Sequence, residues 1–155
     1  MRETYRLRGN RVQPLDVESI DIIASNIARI FKITKRNRRK LDATFEKLFE
    51  FGITLNVISD EEWLFVTRGH YDPDTMTISL PQSVYYHACG GQRDALEIVL
   101  HEMGHLFLGH KAILHHSSRE PTCEEDAEWQ ADMFAEIILR NMGYQMEQIS
   151  FDFYM

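Results

Sequence analysis

Residues 101–105 read His-Glu-Met-Gly-His, and this pattern restricts the fold more than any other feature of the chain. On an α-helix, positions i and i+4 lie one turn apart on the same face, so the imidazoles of His101 and His105 converge on one point. Glu102 projects about 100° away from His101, which places its carboxylate beside that point. The pattern is typical of a zinc hydrolase in which two imidazoles bind the ion and the carboxylate is a general base.

The residues around this motif independently predict a helix over 93–109. Asp94 and Glu97 have the spacing of a capping box at its start, and Gly109 is placed to end it. An apolar stripe runs between these ends through Leu96, Val99, Leu100, Met103 and Phe107. If the histidines were only structural, Glu102 would be a buried carboxylate in need of a partner, which is energetically costly.

A catalytic zinc needs a third protein ligand and an open fourth position. His110 follows soon after the motif but lies beyond Gly109, and His115 and His116 fall in a predicted loop. Glu128 is favoured, because a carboxylate on the next helix can face the motif helix in an antiparallel pair. His110 stays open as the other candidate.

The helix that carries Glu128 is predicted over 122–142. Thr122 and Glu125 form its capping-box pattern, and Gly143 follows its end. Asp132 lies four residues after Glu128 on the same face, where it can accept the N–H of a ligand imidazole. We expect the other acidic residues of this region to form a solvated face: Glu124, Glu125, Asp126 and Glu136.

The rest of the sequence predicts an α+β fold with N-terminal helices and a small antiparallel three-stranded sheet. One amphipathic helix begins near Asp16, and a second ends at Gly52. Between that point and the motif helix, three segments have strand character, 53–59, 63–68 and 76–80. We expect one zinc metallopeptidase domain over 1–155, with 1–15 as an N-terminal extension and 143–155 as a C-terminal tail.

Composition agrees with one ordinary globular domain. The 155 residues are 44% hydrophobic and 26% charged, which excludes a disordered chain or a fibrous repeat. The N-terminus lacks the apolar stretch of a signal peptide, and two cysteines cannot build a disulfide framework. We therefore expect a cytoplasmic protein that does not enter a membrane.

The net charge of −7 conceals an uneven distribution. Residues 1–40 contain 11 Lys and Arg against 4 Asp and Glu, whereas residues 41–155 contain 6 against 20. The basic segment 32–40 could contact nucleic-acid phosphates. A solvated turn between two helices is favoured, because the segment has no interleaved aromatic residue and no clear recognition helix.

Two stretches together resemble the ImmA/IrrE family of bacterial and phage metallo-endopeptidases. HEMGHLFLGH matches the HExGHxxxGH helix of that family, and Glu128-Trp-Gln-Ala131-Asp132-Met-Phe134-Ala135 matches its downstream ExxAxxFA helix. The resemblance implies a minimal gluzincin-like, that is zincin-like, fold. It also implies zinc held by His101, His105 and Glu128, with Glu102 as the catalytic base.

The resemblance further implies a protein substrate. Family members typically cleave a helix-turn-helix transcriptional repressor and so release prophage, mobile-element or stress genes. The alternative is a non-catalytic, zinc-containing regulatory partner of a repressor or nucleic-acid-associated protein, which the presence of Glu102 disfavours.

For a peptidase, the sequence also suggests where substrate lies. The segment MTISL (76–80) could pair with an extended peptide along its edge. Donors to a developing oxyanion could come from several aromatic residues and histidines, namely His70, Tyr71, Tyr85, Tyr86, His87 and Tyr144.

Overall fold

A computed structural model of the chain describes residues 4–110 and 119–145. Within these ranges the chain forms five α-helices and one three-stranded sheet, so the predicted α+β architecture is confirmed. The elements, in chain order, are α1 (Val17–Phe31), α2 (Asp42–Glu46), β1 (Thr54–Ile58), β2 (His70–Asp72), β3 (Thr77–Pro81), α3 (Gln82–Cys89), α4 (Arg93–Phe107) and α5 (Ala127–Asn141). Three 3-10 turns accompany them, at Lys47–Phe51, Asp60–Glu62 and Cys123–Glu125.

The sheet is mixed rather than wholly antiparallel, which corrects one detail of the prediction. Its order is β1-β3-β2, with β1 parallel to β3 and β2 antiparallel to β3. After β1, the long connection 59–69 carries the chain across to the far edge of the sheet. The hairpin then returns β3 between the two outer strands, so β3 is the central strand.

The segment 63–68, predicted as a strand, forms a loop instead. The indole nitrogen of Trp63 donates to the carbonyl of Thr67 at 2.8 Å, and the Thr67 hydroxyl donates to the carbonyl of Gly69 at 2.7 Å. Leu64 and Val66 are 92% and 104% exposed. The strand-forming residue types were a misleading signal here, because these side chains have no core to pack against and local hydrogen bonds hold the loop.

The two helices that carry the site motifs lie against each other through small residues. A Cβ atom added at Gly104 would lie 3.1 Å from the Cα of Ala131 and 3.2 Å from the Cβ of Phe134. Glycine at this position of the His-Glu-Met-Gly-His motif therefore lets α4 and α5 approach closely. The surrounding core is formed by fully buried side chains, including Phe31, Phe45, Leu96, Leu100, Met103 and Phe134.

The helix starts agree with the sequence in part. Asp16 caps α1 by accepting from the backbone N–H of Ser19 at 2.8 Å, as its position predicts. The capping box of Thr122 and Glu125 is present, but it opens a 3-10 turn, and Asp126 caps α5 itself. At the start of α4, the capping residue is Gln92 rather than the predicted Asp94.

Two further sequence expectations concern the ends of the chain and membranes. None of the helices in the described ranges has the length and apolar character that a membrane span requires. Most of the predicted C-terminal tail, residues 146–155, lies outside the described residues, as do His115 and His116.

The contact at Gly104 predicts a steep dependence of stability on side-chain size. Gly104→Val should lower the free energy of unfolding by about 1–3 kcal/mol, because its branches would press on the backbone of α5. Urea denaturation followed by circular dichroism measures the change. Ile22→Val, on the exposed face of α1, is the control and should change it by less than about 0.5 kcal/mol. A Gly104→Val variant as stable as the wild type would contradict the close-packing interpretation.

Candidate metal centre

Three polar atoms from α4 and α5 converge on one point. The Nε2 atoms of His101 and His105 are 3.1 Å apart, which is the result of their i, i+4 spacing on α4. Glu128, in the first turn of α5, places its Oε2 3.1 Å from His101 Nε2 and 2.7 Å from His105 Nε2. The structure thus brings together the three residues that the sequence singled out as ligands.

Glu102 lies beside this point and is 7% exposed. Ligand atoms of His101, Glu102 and His105 all lie within 4.8 Å of one another, a spacing that could hold a metal ion. Gly69 leaves room for the carboxylate stem, because a Cβ there would lie 3.1 Å from Glu102 Cγ. Burial raises the pKa of the Glu102 carboxyl, while the two imidazoles act in the opposite direction.

Asp132 contacts the ring nitrogen of His101 that faces away from the convergence point. Its Oδ1 lies 2.8 Å from His101 Nδ1, and its Oδ2 lies 2.8 Å from a guanidinium nitrogen of Arg8. A carboxylate accepts only, so it fixes His101 Nδ1 as a donor and leaves Nε2 for the centre. Sequence reasoning selected Asp132 for this contact but missed Arg8, which has no motif around it.

The electrostatics of the centre favour positive charge. Burial opposes the charged form of His101, but hydrogen bonds from its ring to Asp132 and Glu128 raise its pKa to about 10. Hydrogen bonds from His101 and His105 hold the pKa of the Glu128 carboxyl well below its usual range. A cation between these groups, whether a proton or a metal ion, is therefore stabilised.

Asp126 anchors the N-terminal segment over the start of α5. It is fully buried and accepts from the Tyr5 hydroxyl at 2.6 Å and from the backbone N–H groups of Arg8, Gly9 and Glu128 at 2.8, 3.1 and 2.9 Å. The expectation of a solvated carboxylate at this position is therefore wrong. The sequence did contain a signal for this role, because Asp126 lies two residues before Glu128 at the start of the helix, where an aspartate commonly acts as the cap.

The segment predicted as an N-terminal extension forms one wall of the centre. Val12 N–H donates to the carbonyl of Glu125, in the 3-10 turn before α5, at 2.8 Å, and Ala127 N–H at the start of α5 donates to the Asn10 carbonyl at 3.1 Å. A Cβ at Gly9 would lie only 2.6 Å from Glu128 Cγ. This close approach positions the side chain of Glu128, and it could not be inferred from the sequence. Glu136 was also expected on a solvated face, but its exposed fraction is only 9%, so this expectation is wrong as well.

His110, the other candidate for third ligand, lies on the outer side of His105. Its Nδ1 is 2.8 Å from His105 Nδ1, and its Nε2 is 2.6 Å from Gln130 Oε1. Both ring nitrogens are thus engaged away from the convergence point. Burial lowers the pKa of His110 to about 4, so this imidazole is neutral near pH 7. Of the two candidates, Glu128 has the geometry of a ligand.

A cleft of about 490 Å³ opens onto the centre. Glu102, His105 and Glu128 line it on the side of the helices. The opposite walls come from the N-terminal segment and from the sheet side, with Arg8, Asn10, Thr67, Gly69, His70 and Tyr71 among the lining residues. Two of the proposed oxyanion donors, His70 and Tyr71, therefore border the cleft. Tyr144 instead donates to the carbonyl of Gly91.

Comparison with known proteins adds no assignment: no family model matches the sequence, and no curated protein or solved structure matches it either.

The placement of the two candidate ligands predicts their ranking in metal binding. Glu128→Ala removes an atom at the convergence point, so it should reduce bound divalent metal far more than His110→Ala, which removes an outer contact. Metal content per chain, measured by mass spectrometry after dialysis against dilute zinc, tests this order. Glu120→Ala, at an exposed position, serves as the control. The reverse ranking would contradict Glu128 as the third ligand.

Proposed function

We propose that the chain is a zinc-dependent endopeptidase that hydrolyses a peptide bond in a protein substrate. The observation that carries the proposal is the convergence of His101, His105 and Glu128 beside a buried Glu102, with His105, Glu128 and Glu102 lining an open cleft. Two imidazoles and a carboxylate are the ligand set of zinc peptidases, and the cleft leaves room for water and substrate.

The spacing of the three donors supports zinc. Bonds of about 2.0–2.2 Å in a tetrahedral arrangement separate the ligand atoms by about 3.3–3.5 Å. The contacts of 2.7, 3.1 and 3.1 Å are somewhat shorter than this, so small outward movements of the side chains admit the ion. Imidazole nitrogen with one carboxylate oxygen suits zinc better than the hard cations Mg²⁺ and Ca²⁺, which prefer oxygen-only sites.

Glu102 is the residue that moves protons in this proposal. When bound, zinc supplies Lewis-acid polarisation of the substrate carbonyl and lowers the pKa of water toward about 7. The Glu102 carboxylate takes the proton of the attacking water and then donates it to the leaving amine. Its burial suits both steps, because a raised pKa brings the carboxyl closer to the pH at which it must accept and release a proton. His70 and Tyr71 are the nearest candidates for a donor to the oxyanion.

The free strand edge beside the cleft belongs to β2, not to the segment 76–80. β3 already pairs with β1 on one side and β2 on the other, so the expectation of substrate along MTISL is wrong. Among the described strands, β1 and β2 each pair only with β3, but the cleft lining includes His70 and Tyr71 of β2 and no residue of β1. A peptide that adds to this edge would pass over the centre.

The loop 63–69 supports a protein substrate with apolar side chains. Phe65 stacks on His70 with ring centroids 4.2 Å apart, so this ordered loop borders the cleft. Leu64 and Val66, on either side of Phe65, are almost fully exposed. Exposed aliphatic side chains contribute nothing to the core, but beside a cleft they can cover the apolar residues of a bound peptide.

We further infer that the substrate is a helix-turn-helix transcriptional repressor and that cleavage takes place in the cytoplasm. The support is the resemblance of the two helical motifs to ImmA/IrrE metallo-endopeptidases. A non-catalytic regulatory partner is the second candidate. It is less favourable, because a buried carboxylate beside the metal ligands has no structural purpose there.

Direct nucleic-acid binding by the basic segment 32–40 is the weakest candidate. Arg38 lies over the ring of Tyr144, with its guanidinium carbon 5.1 Å from the ring centroid. Asn37 donates to a backbone carbonyl of the same segment at 3.1 Å. These internal contacts are those of a folded turn between α1 and α2.

Replacement of Glu102 separates metal binding from catalysis. Glu102→Gln keeps the size of the side chain and removes its ability to accept a proton, so zinc content should stay near one ion per chain while cleavage falls by at least about 100-fold. Co-expression with a repressor encoded beside the gene, followed by mapping of new termini, measures the cleavage. Continued proteolysis by a zinc-loaded Glu102→Gln variant would contradict the assigned base.

The exposed loop predicts a separate effect on substrate binding. The double variant Leu64→Ser, Val66→Ser should retain zinc and fold, but should raise the KM for a protein substrate with little change in kcat. Steady-state cleavage assays over a range of substrate concentrations measure both constants. Ile22→Ser, at another exposed apolar position, is the control. An unchanged KM would exclude this loop from substrate binding.

A further inference from the structure

We propose that Gln130 and His110 form a neutral hydrogen-bond relay that orients His105 and leaves its Nε2 lone pair free for the metal. The inference rests on the proposed zinc centre, but it concerns positioning residues rather than catalytic ones. Neither residue lies at the convergence point, and the relay follows from the donors and acceptors that each group can offer.

The relay begins at the carboxamide of Gln130, which is fully buried. Its Nε2 lies 2.8 Å from the backbone carbonyl of Gln13 and 2.7 Å from that of Glu124. Carbonyl oxygens only accept, so both hydrogens of the amide group are committed to them. The remaining atom, Oε1, is an acceptor and requires a donor from His110, 2.6 Å away.

His110 transmits this requirement to His105. A neutral imidazole has one N–H, and Gln130 Oε1 places it on His110 Nε2. His110 Nδ1 is then an acceptor, and it lies 2.8 Å from His105 Nδ1. His105 therefore carries its hydrogen on Nδ1, and its Nε2 presents a lone pair toward His101 and Glu128.

The backbone after α4 makes this contact possible. Gly109 has φ +66°, a conformation that costs glycine little, and the chain turns back so that His110 N–H donates to the His105 carbonyl at 3.0 Å. His110 is thereby held against the helix that it follows, with 9% of its surface exposed. A histidine one residue beyond a terminal glycine is thus placed beside the last ligand of α4.

The two ligand imidazoles are oriented by different devices. Asp132 fixes His101 with a carboxylate, which Arg8 also contacts. The relay fixes His105 with groups that have no charge. This arrangement aligns both rings without adding a further carboxylate to Glu102, Glu128 and Asp132 near the metal, which would reduce the positive charge that polarises a substrate.

Zinc affinity of His110 variants tests the relay without a substrate. His110→Leu removes the acceptor for His105 and should weaken zinc binding by about 10- to 100-fold in competition with a chromophoric chelator. His110→Asn offers Oδ1 near the position of the ring Nδ1 and should recover most of the loss. Ile138→Val, a conservative change at a fully buried position, controls for lost stability and should leave zinc affinity unchanged.

Nitrogen NMR of the zinc-loaded protein gives the second test. With ¹⁵N-labelled histidine, we expect zinc on His105 Nε2 and the His110 proton on Nε2. A proton on His110 Nδ1 would overturn the relay even if the His110→Leu variant cannot fold. A folded His110→Leu variant with wild-type zinc affinity would also overturn the relay. That result would not contradict the proposed peptidase function. Conversely, the expected tautomers in a protein without peptidase activity would refute only the proposed function.

Discussion

The close contact of α4 with α5 is the constraint on which the centre depends. Gly104 has no side chain, so the backbone of α5 at Ala131 can lie against the motif helix. Only at this distance does Glu128, one turn before Ala131, reach both imidazoles of α4. The glycine inside the motif is thus as necessary for the geometry of the centre as the polar residues are, although it has no side chain that could contact the centre.

The chemistry of the centre was more predictable from sequence than its surroundings. The i, i+4 spacing places His101 and His105 together on any regular helix, and Asp132 follows Glu128 by the same rule. These relations are local, so a sequence pattern contains them. Contacts made by Arg8 and Gln130 join segments far apart in the chain, and no local periodicity encodes them.

The fold shows the same division between local and long-range information. Amphipathic spacing located α1 and α4, because one face of each is buried against the core. The capping-box pattern and the glycine after its end located α5, which is buried on nearly all sides. The sheet was harder to predict. Segment 63–68 has strand-forming residues but no partner strand, whereas β2 (His70–Asp72) is short and pairs because the hairpin brings it to β3. Strand pairing depends on where distant segments meet, and residue type alone did not reveal the parallel β1–β3 pair.

The buried carboxylate of Asp126 has a consequence for the order in which the centre forms during synthesis. It accepts from Tyr5, 121 positions earlier in the chain, and from the N–H of Glu128. A nascent chain in which α4 but not α5 has been synthesised contains both histidines. It lacks Glu128, the third ligand, and Asp126, which holds the N-terminal segment. Since the ribosome adds residues from the N-terminus onward, metal coordination is completed only after Glu128 has been synthesised, and Glu128 is the last in chain order of the residues that line the cleft.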